Sequence, residues 1–538
     1  MPLVLAQWAL VAGLAVVVRH NGWLFYQGGD ETFYYTGSWV LAHAHIPEAE
    51  IGFGLSYLLS PLALLAGANY LSALPVVVVL QTVVLLPIAV YCVYAIAARF
   101  GDRSLGYLAA ALWVAGPFVL IPLFDQRFHE KYVENFLPQA FGLTGLADFP
   151  SLVCLLVAAL FCLRALERAD PADGLVAGIA AGFAIGIKPA NALFLAGPAL
   201  AFATARQLRT GLAFALALLP GVLALALWKY RGLGHLPLTT PTPSAVAAGH
   251  DVAGPAGSTL SRYLNLDWSR LKDNFVQLRA FLPLAPVFAA LTVAGLLGAL
   301  RRSIPYALLL FGWVGAFILV KGTSDQANIE GGTLLRLFMP GFPPLLIFTA
   351  LVPLLWREST PYAVVARAVG RWTVGVTAAI FGIAPLVLFL SCSPLHDRTA
   401  VKYFAESVMV PVDKSFEVKV RRGGGGELLT WRGAPRSAAS AFFRVFRVRP
   451  ARAAPDPTLP PARDGIRCIA FPPGSQDRAN DCRLEMDVVG VSRGTSFVDH
   501  PPAGPWTYRV GLFANWLDDP TLGDLLLLSE PARLPAQH

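Results

Sequence analysis

Charge is what this chain has least of. Only 14% of its 538 residues are Asp, Glu, Lys or Arg, against roughly 25% in a water-soluble domain. The shortfall falls on the first 391 residues, where apolar runs of about 20 residues recur, each long enough to cross a bilayer. With 55% apolar residues and a mean hydropathy of +0.57, an ordinary cytosolic enzyme is excluded and a polytopic membrane protein is expected. Lysine is scarce beside arginine, which with abundant Ala, Gly and Pro points to a GC-rich bacterial genome. Cysteine is scarce too, at 6 residues: Cys92, Cys154, Cys162 and Cys392 lie in or beside apolar runs, where a thiol is a small hydrophobe. Metal motifs are missing. No His-Glu-x-x-His occurs, His129, Glu130 and Glu134 do not share a zinc-helix face, and Asp518, Asp519 and Asp524 lack the calcium-loop ladder.

The apolar runs are 2–18, 72–98, 104–124, 149–166, 174–187, 190–205, 211–228, 281–299, 304–320, 337–356 and 372–391, which predict about 11 transmembrane helices. The first run leads into Arg19, His20 and Asn21 without a small-residue cleavage site, so it reads as a retained span. With a cytoplasmic N-terminus, inner loops 99–103, 164–174, 206–210, 300–303 and 357–371 hold 11 Arg in 40 residues, and the outer loops hold 12 Lys or Arg in 129. That is the positive-inside bias, and the expected address is the cytoplasmic (inner) membrane, with the N-terminus cytoplasmic and the C-terminal domain extracytoplasmic. The formal charge of +8 therefore reads as a membrane address, with no nucleic-acid partner. Residues 51–65 are apolar but interrupted by Gly52, Gly54, Ser56 and Pro61, and read as a re-entrant or interfacial helix.

Beyond residue 391 the composition turns to Arg, Pro, Gly and short alternating segments. We divide the chain into a membrane domain, 1–395, a linker, 396–414, and an extracytoplasmic all-β sandwich, 415–538. Strands are expected at 416–420, 428–431, 441–448, 495–499 and 506–510, with 449–466 a long loop. The order of Trp431, an aromatic third strand and Asp499-His-Pro-Pro-Ala-Gly504 before Thr507-Tyr-Arg-Val510 resembles a fibronectin type III domain, with Tyr508 near a tyrosine corner. Cys468 and Cys482 could form a disulfide there; two free thiols remain the alternative.

The segment that carries chemistry is the first outer loop, Gln27-Gly-Gly-Asp-Glu-Thr-Phe-Tyr-Tyr35 and onward to His45. Asp30 and Glu31 stand close to a span, where acids usually face a wet cavity or are paired. The plain competitor is Asp30 capping the helix that follows. Asp148, before Phe149-Pro150, has the look of an N-cap before a first-turn proline. Lys188, before Pro189, could snorkel to the interface, and Arg336 could be an interfacial anchor. His43 and His45 would point apart on a helix.

The Gly-Asp-Glu-x-x-Tyr-Tyr loop after a first span resembles the GT-C glycosyltransferase superfamily, which includes protein O-mannosyltransferases and bacterial aminoarabinose lipid A transferases. Gly145-Leu-Ala-Asp-Phe-Pro150 before a span, Gly186-Ile-Lys188-Pro189 closing one and Leu335-Arg336-Leu-Phe-Met-Pro340 opening one match it in order. The last has Phe338 nearby in place of a Tyr beside the Arg. The resemblance implies transfer of a sugar, with inversion, from a polyprenyl-phosphate-linked donor to a lipid, glycan or protein acceptor. It implies Asp30 as base, with Glu31 or Asp148 orienting substrate or sharing a divalent ion (Mg or Mn). Lys188, Arg336, Arg127, Lys131 and Lys321 become the cations for the leaving phosphate, with Tyr34 beside them. Against a transporter or flippase stands the want of two similar halves; against a membrane-anchored adhesion or scaffold protein stands the number of spans.

Overall fold

Each apolar run anticipated above is a helix. The computed structural model describes residues 1–17, 30–47, 49, 51–238, 266–324, 327–329, 333–358, 360–362, 368–395, 400–403, 408–423, 425–433, 441–448, 468–469, 484–502, 504, 506–514 and 524–534. Among them, 8 helices are long and apolar enough to cross a membrane: Tyr70–Phe100, Arg103–Leu123, Asp148–Arg168, Leu208–Leu233, Ala285–Arg302, Ile304–Gly322, Thr333–Ala350 and Arg371–Ser391. The other three expected runs are shorter helices, Pro2–Val17, Pro171–Ile187 and Pro189–Thr204, and the segment read as re-entrant is the helix Gly54–Ala66. The chain is a multi-pass membrane protein, and its count of spans depends on these short helices.

Local chemistry sets the boundaries. Asp102 accepts from the backbone N–H of Ser104 at 2.9 Å and of Leu105 at 3.2 Å, capping Arg103–Leu123. Asp170 accepts from Ala172 N–H at 2.9 Å, with Pro171 in the first turn, the usual start of a helix. Helices Pro171–Ile187 and Leu208–Leu233 touch backbone to backbone. A Cβ on Gly178 would lie 2.2 Å from the Phe214 carbonyl oxygen, and one on Gly221 would lie 2.5 Å from the Gly182 carbonyl carbon. Small residues permit such approach where lipid supplies no hydrophobic drive between helices.

The helix ends sort into two groups. At one, the Arg-rich loops are tied together: Arg357 pairs with Asp102 at 2.9 Å, Arg99 with Glu167 at 3.4 Å and Arg164 with Asp173 at 2.9 Å. Arg301 also donates to the Leu355 carbonyl at 2.9 Å. At the other end lie the helix Asp30–Ala42, the N-terminus of Asp148–Arg168 and the exit into the β region.

That exit is strapped to the first of these helices. Ser393 N–H donates to Ala44 O at 3.0 Å, His45 Nδ1 and Ser393 Oγ are hydrogen-bonded at 2.8 Å, and His45–Ile46 pairs in parallel with Ser393–Pro394. The C-terminal region is β, as expected, but its pairing is not the two-antiparallel-sheet pattern of a fibronectin sandwich. Strands 524–529, 408–413, 400–403, 468–469, 484–492, 441–448 and 507–514 pair in that order, and the last pairs back to the first, closing a ring that includes parallel ladders. A separate three-stranded sheet holds Val418–Gly423, Gly426–Trp431 and Ser496–Asp499. The expected linker, 396–414, thus supplies two paired strands, Ala400–Tyr403 and Val408–Asp413. Tyr508 is buried, and its hydroxyl donates to Asp499 Oδ2 at 2.7 Å, where a tyrosine corner would bond backbone. The proposed Cys468–Cys482 pair lies outside the described residues at Cys482.

Candidate active site

Four residues far apart in sequence meet in one ion network. Arg336, in the first turn of Thr333–Ala350, donates through Nη2 to Asp30 Oδ2 and through Nε to Asp148 Oδ2, the latter at 3.2 Å. Lys188 Nζ donates to Asp148 Oδ1. The side chains grade outward: Asp148 is 1% exposed, Lys188 19%, Arg336 32% and Asp30 41%. Asp148 therefore anchors the cations from below, and Asp30 stands at the wet edge.

Each position has a local cause. Pro189 disfavours helical geometry at the preceding residue, so Lys188 is extended (φ −136°, ψ 106°) and the helix stops at Ile187. Gly52 and Gly54 allow the short helix beside it to close in, since a Cβ at Gly52 would lie 2.2 Å from Ile187 O. Asp148 opens Asp148–Arg168, but no side chain caps that helix. Its carboxylate serves the ion pairs, and the capping reading does not hold.

Glu31 turns the other way. It is fully buried and accepts from the Tyr70 hydroxyl and from Gly145 N–H, the latter at 2.9 Å. A Cβ at Gly145 would meet the Tyr70 oxygen at 1.9 Å, so glycine is required. Glu31 thus fastens the helix Asp30–Ala42 to its neighbours. Tyr34 is buried on that helix, and its phenol is pushed up first by burial, then by the charges of Asp30 and Asp148. It remains a neutral donor.

Beside Arg336 opens a cavity of about 200 Å³. One wall is the segment 126–140, which lies between the apolar runs 104–124 and 149–166 and carries no helix signal in the sequence. It is helical, with a π turn at Tyr132–Phe136. Phe124, Phe128, Tyr132 and Phe136 form an aromatic row, and Lys131, Asn135 and Gln139 a polar one; Ile329, Thr333 and Leu335 face them. Phe124 and Tyr132 stack with centroids 4.5 Å apart. Lys131 is thus placed near the network. Arg127 is not: it is 78% exposed and pairs with Asp125 at 3.1 Å. Lys321 ends Ile304–Gly322, half-buried, and does not line the cavity.

The residues do not fit a divalent ion shared by Asp30 and Asp148. Both oxygens of Asp148 and one of Asp30 already accept from protein cations, and among the described residues no group of three or more His, Cys, Asp or Glu could hold a metal.

No family model matches the sequence, and no curated protein matches it. Among solved structures, the chain is similar to ArnT from Cupriavidus metallidurans in the apo state, with 16% identity and a TM-score of 0.39 over 65% of this chain and 59% of that one. The chain thus spans less than two thirds of the length of that protein.

Proposed function

We propose that this chain is a membrane glycosyltransferase of GT-C type, moving a sugar from a polyprenyl-phosphate-linked donor to an acceptor hydroxyl at the outer face of the cytoplasmic membrane. The observation that carries the reading is the network itself: a half-exposed carboxylate, Asp30, beside two cations held by the buried Asp148. An acceptor hydroxyl must lose a proton as its oxygen attacks the anomeric carbon. Asp30 takes that proton. The bond between the anomeric carbon and the phosphate oxygen breaks on the opposite side, and its electron pair leaves with the phosphate. Arg336 and Lys188 receive the resulting negative charge. In-line attack inverts the anomeric centre. The Arg-rich loops at the opposite end support an outward-facing site, with a cytoplasmic N-terminus and an extracytoplasmic β region.

Loss of the base tests this. With a radiolabelled sugar on polyprenyl phosphate, Asp30→Asn should lower transfer by about a hundredfold or more, with expression and melting temperature unchanged. Full transfer by that variant would remove Asp30 from the role.

A further inference from the structure

The cavity beside Arg336 has a lining that the transfer chemistry alone does not explain. Its two rows, Phe124, Phe128, Tyr132, Phe136 and Lys131, Asn135, Gln139, both repeat every four residues, and all but Phe124, which is extended and precedes the helix, stand on the helical segment 126–140. On an α-helix of 3.6 residues per turn, such a row drifts by about 40° at each step. The π turn at Tyr132–Phe136 spends one extra residue, which offsets the drift and keeps both rows on one side. π turns are frequent at functional sites for this kind of reason. The backbone irregularity and the sequence repeat therefore serve the same wall.

We propose that this wall is the seat of the transferred sugar: one pyranose ring lies against the aromatic row, with its hydroxyls at Asn135, Gln139 and Lys131 and its anomeric end towards Arg336. The assignment rests on the glycosyltransferase reading and deepens it. A pyranose has C–H faces that suit an aromatic surface and edge hydroxyls that match amides able to donate and accept at once. A prenyl chain offers no hydrogen bond to a lysine or an amide, whereas sugar hydroxyls match all three. Arg336 joins the two parts of the site, since it lines this cavity and also pairs with Asp30 and Asp148. A ring held there presents its anomeric carbon where the base and the phosphate cations converge.

The test separates sugar from lipid. Full-length protein in nanodiscs is titrated with farnesyl phosphate and with farnesyl phosphate carrying mannose, arabinose or an amino-arabinose. Wild type should bind at least one sugar-bearing probe more tightly than the bare phosphate. Asn135→Leu and Gln139→Leu, which roughly keep volume and remove the amide, should each weaken that probe about tenfold, near 1.4 kcal/mol. Binding of bare farnesyl phosphate should stay unchanged, which also shows the variants folded. Phe128→Leu should act in the same sense. Equal weakening of both probes would make the cavity a lipid seat and overturn the proposal, as would unchanged binding of every probe by all three variants. Wild-type protein that binds neither probe would overturn the glycosyltransferase reading itself.

Discussion

Arg336 bridges two carboxylates that need different things from it. Asp148 is buried and requires cationic partners; Asp30 is half-exposed and must give up its hold on the guanidinium before it can take a proton. Lysine cannot replace this residue, because one ammonium lacks the planar fork that reaches two carboxylates. Arg336→Lys should therefore fold and keep little transfer, measured against its melting curve. Lys188→Met leaves Asp148 short of a partner and should destabilise by about 3 kcal/mol. Adding Asp148→Leu should restore most of that stability and none of the transfer, because the cation and its anchor are both gone. If the double variant stays as unstable as the single one, the pair is not what holds this corner. Gly145→Ala makes a different point: its Cβ has no room beside Tyr70 and Glu31, so stability should fall by about 1–3 kcal/mol with transfer falling alongside. At this scale the sequence showed which residue types meet but not their division of labour. Asp30 and Glu31 are neighbours in the chain, and only packing reveals that one pairs with Arg336 and the other is clamped by Tyr70.

Elements were more legible than their contacts. Apolar length located the helices to within a few residues, because hydropathy over a span is a sum that single residues do not upset. The run placed at 281–299 instead begins at Ala285, after the polar helix Trp268–Phe281 ends. The helix 126–140 escaped because its rows repeat every four residues and it carries Pro138, against the usual 3.6-residue signal. Strands 400–403 and 408–413 pair with each other as a hairpin, but each also pairs with a segment more than fifty residues away, and that part of the sheet no local pattern records. The helix Pro171–Ile187 tests how an element carries a site. Gly178→Val would drive it off Leu208–Leu233, costing about 1–3 kcal/mol, and would displace Lys188 at its end. Transfer should fall even at temperatures where the variant is fully folded. In the β region, burial and then the Asp499 carboxylate push the Tyr508 phenol up. The neutral form is thus favoured by the fold. Its stability contribution is whole below pH of about 10, the ordinary tyrosine value, and is lost as pH climbs towards the raised one. Tyr508→Phe should flatten part of that alkaline decline, followed by thermal unfolding across pH.

For the whole molecule, the question is why the β region is joined where it is. The helix that carries Asp30 ends at Ala42; its exit is paired with the strand that leaves the last membrane helix, and Val408–Asp413 packs along it. Trp39 and Leu395 close over the buried Val40. Asp30 therefore stands on a helix braced at one end by Glu31, Tyr70 and Gly145 and at the other by the β region. Catalysis depends on holding a base within a fraction of an ångström of its target, so a brace of this kind acts on rate before it acts on folding. Truncation after residue 395 leaves the backbone contacts between membrane helices untouched. The truncated chain should insert, keep its helical circular dichroism and bind farnesyl phosphate as the full chain does, while its transfer rate falls without vanishing. Undiminished transfer would mean that the β region does not steady Asp30. Loss of lipid binding together with transfer would mean that it builds the site outright.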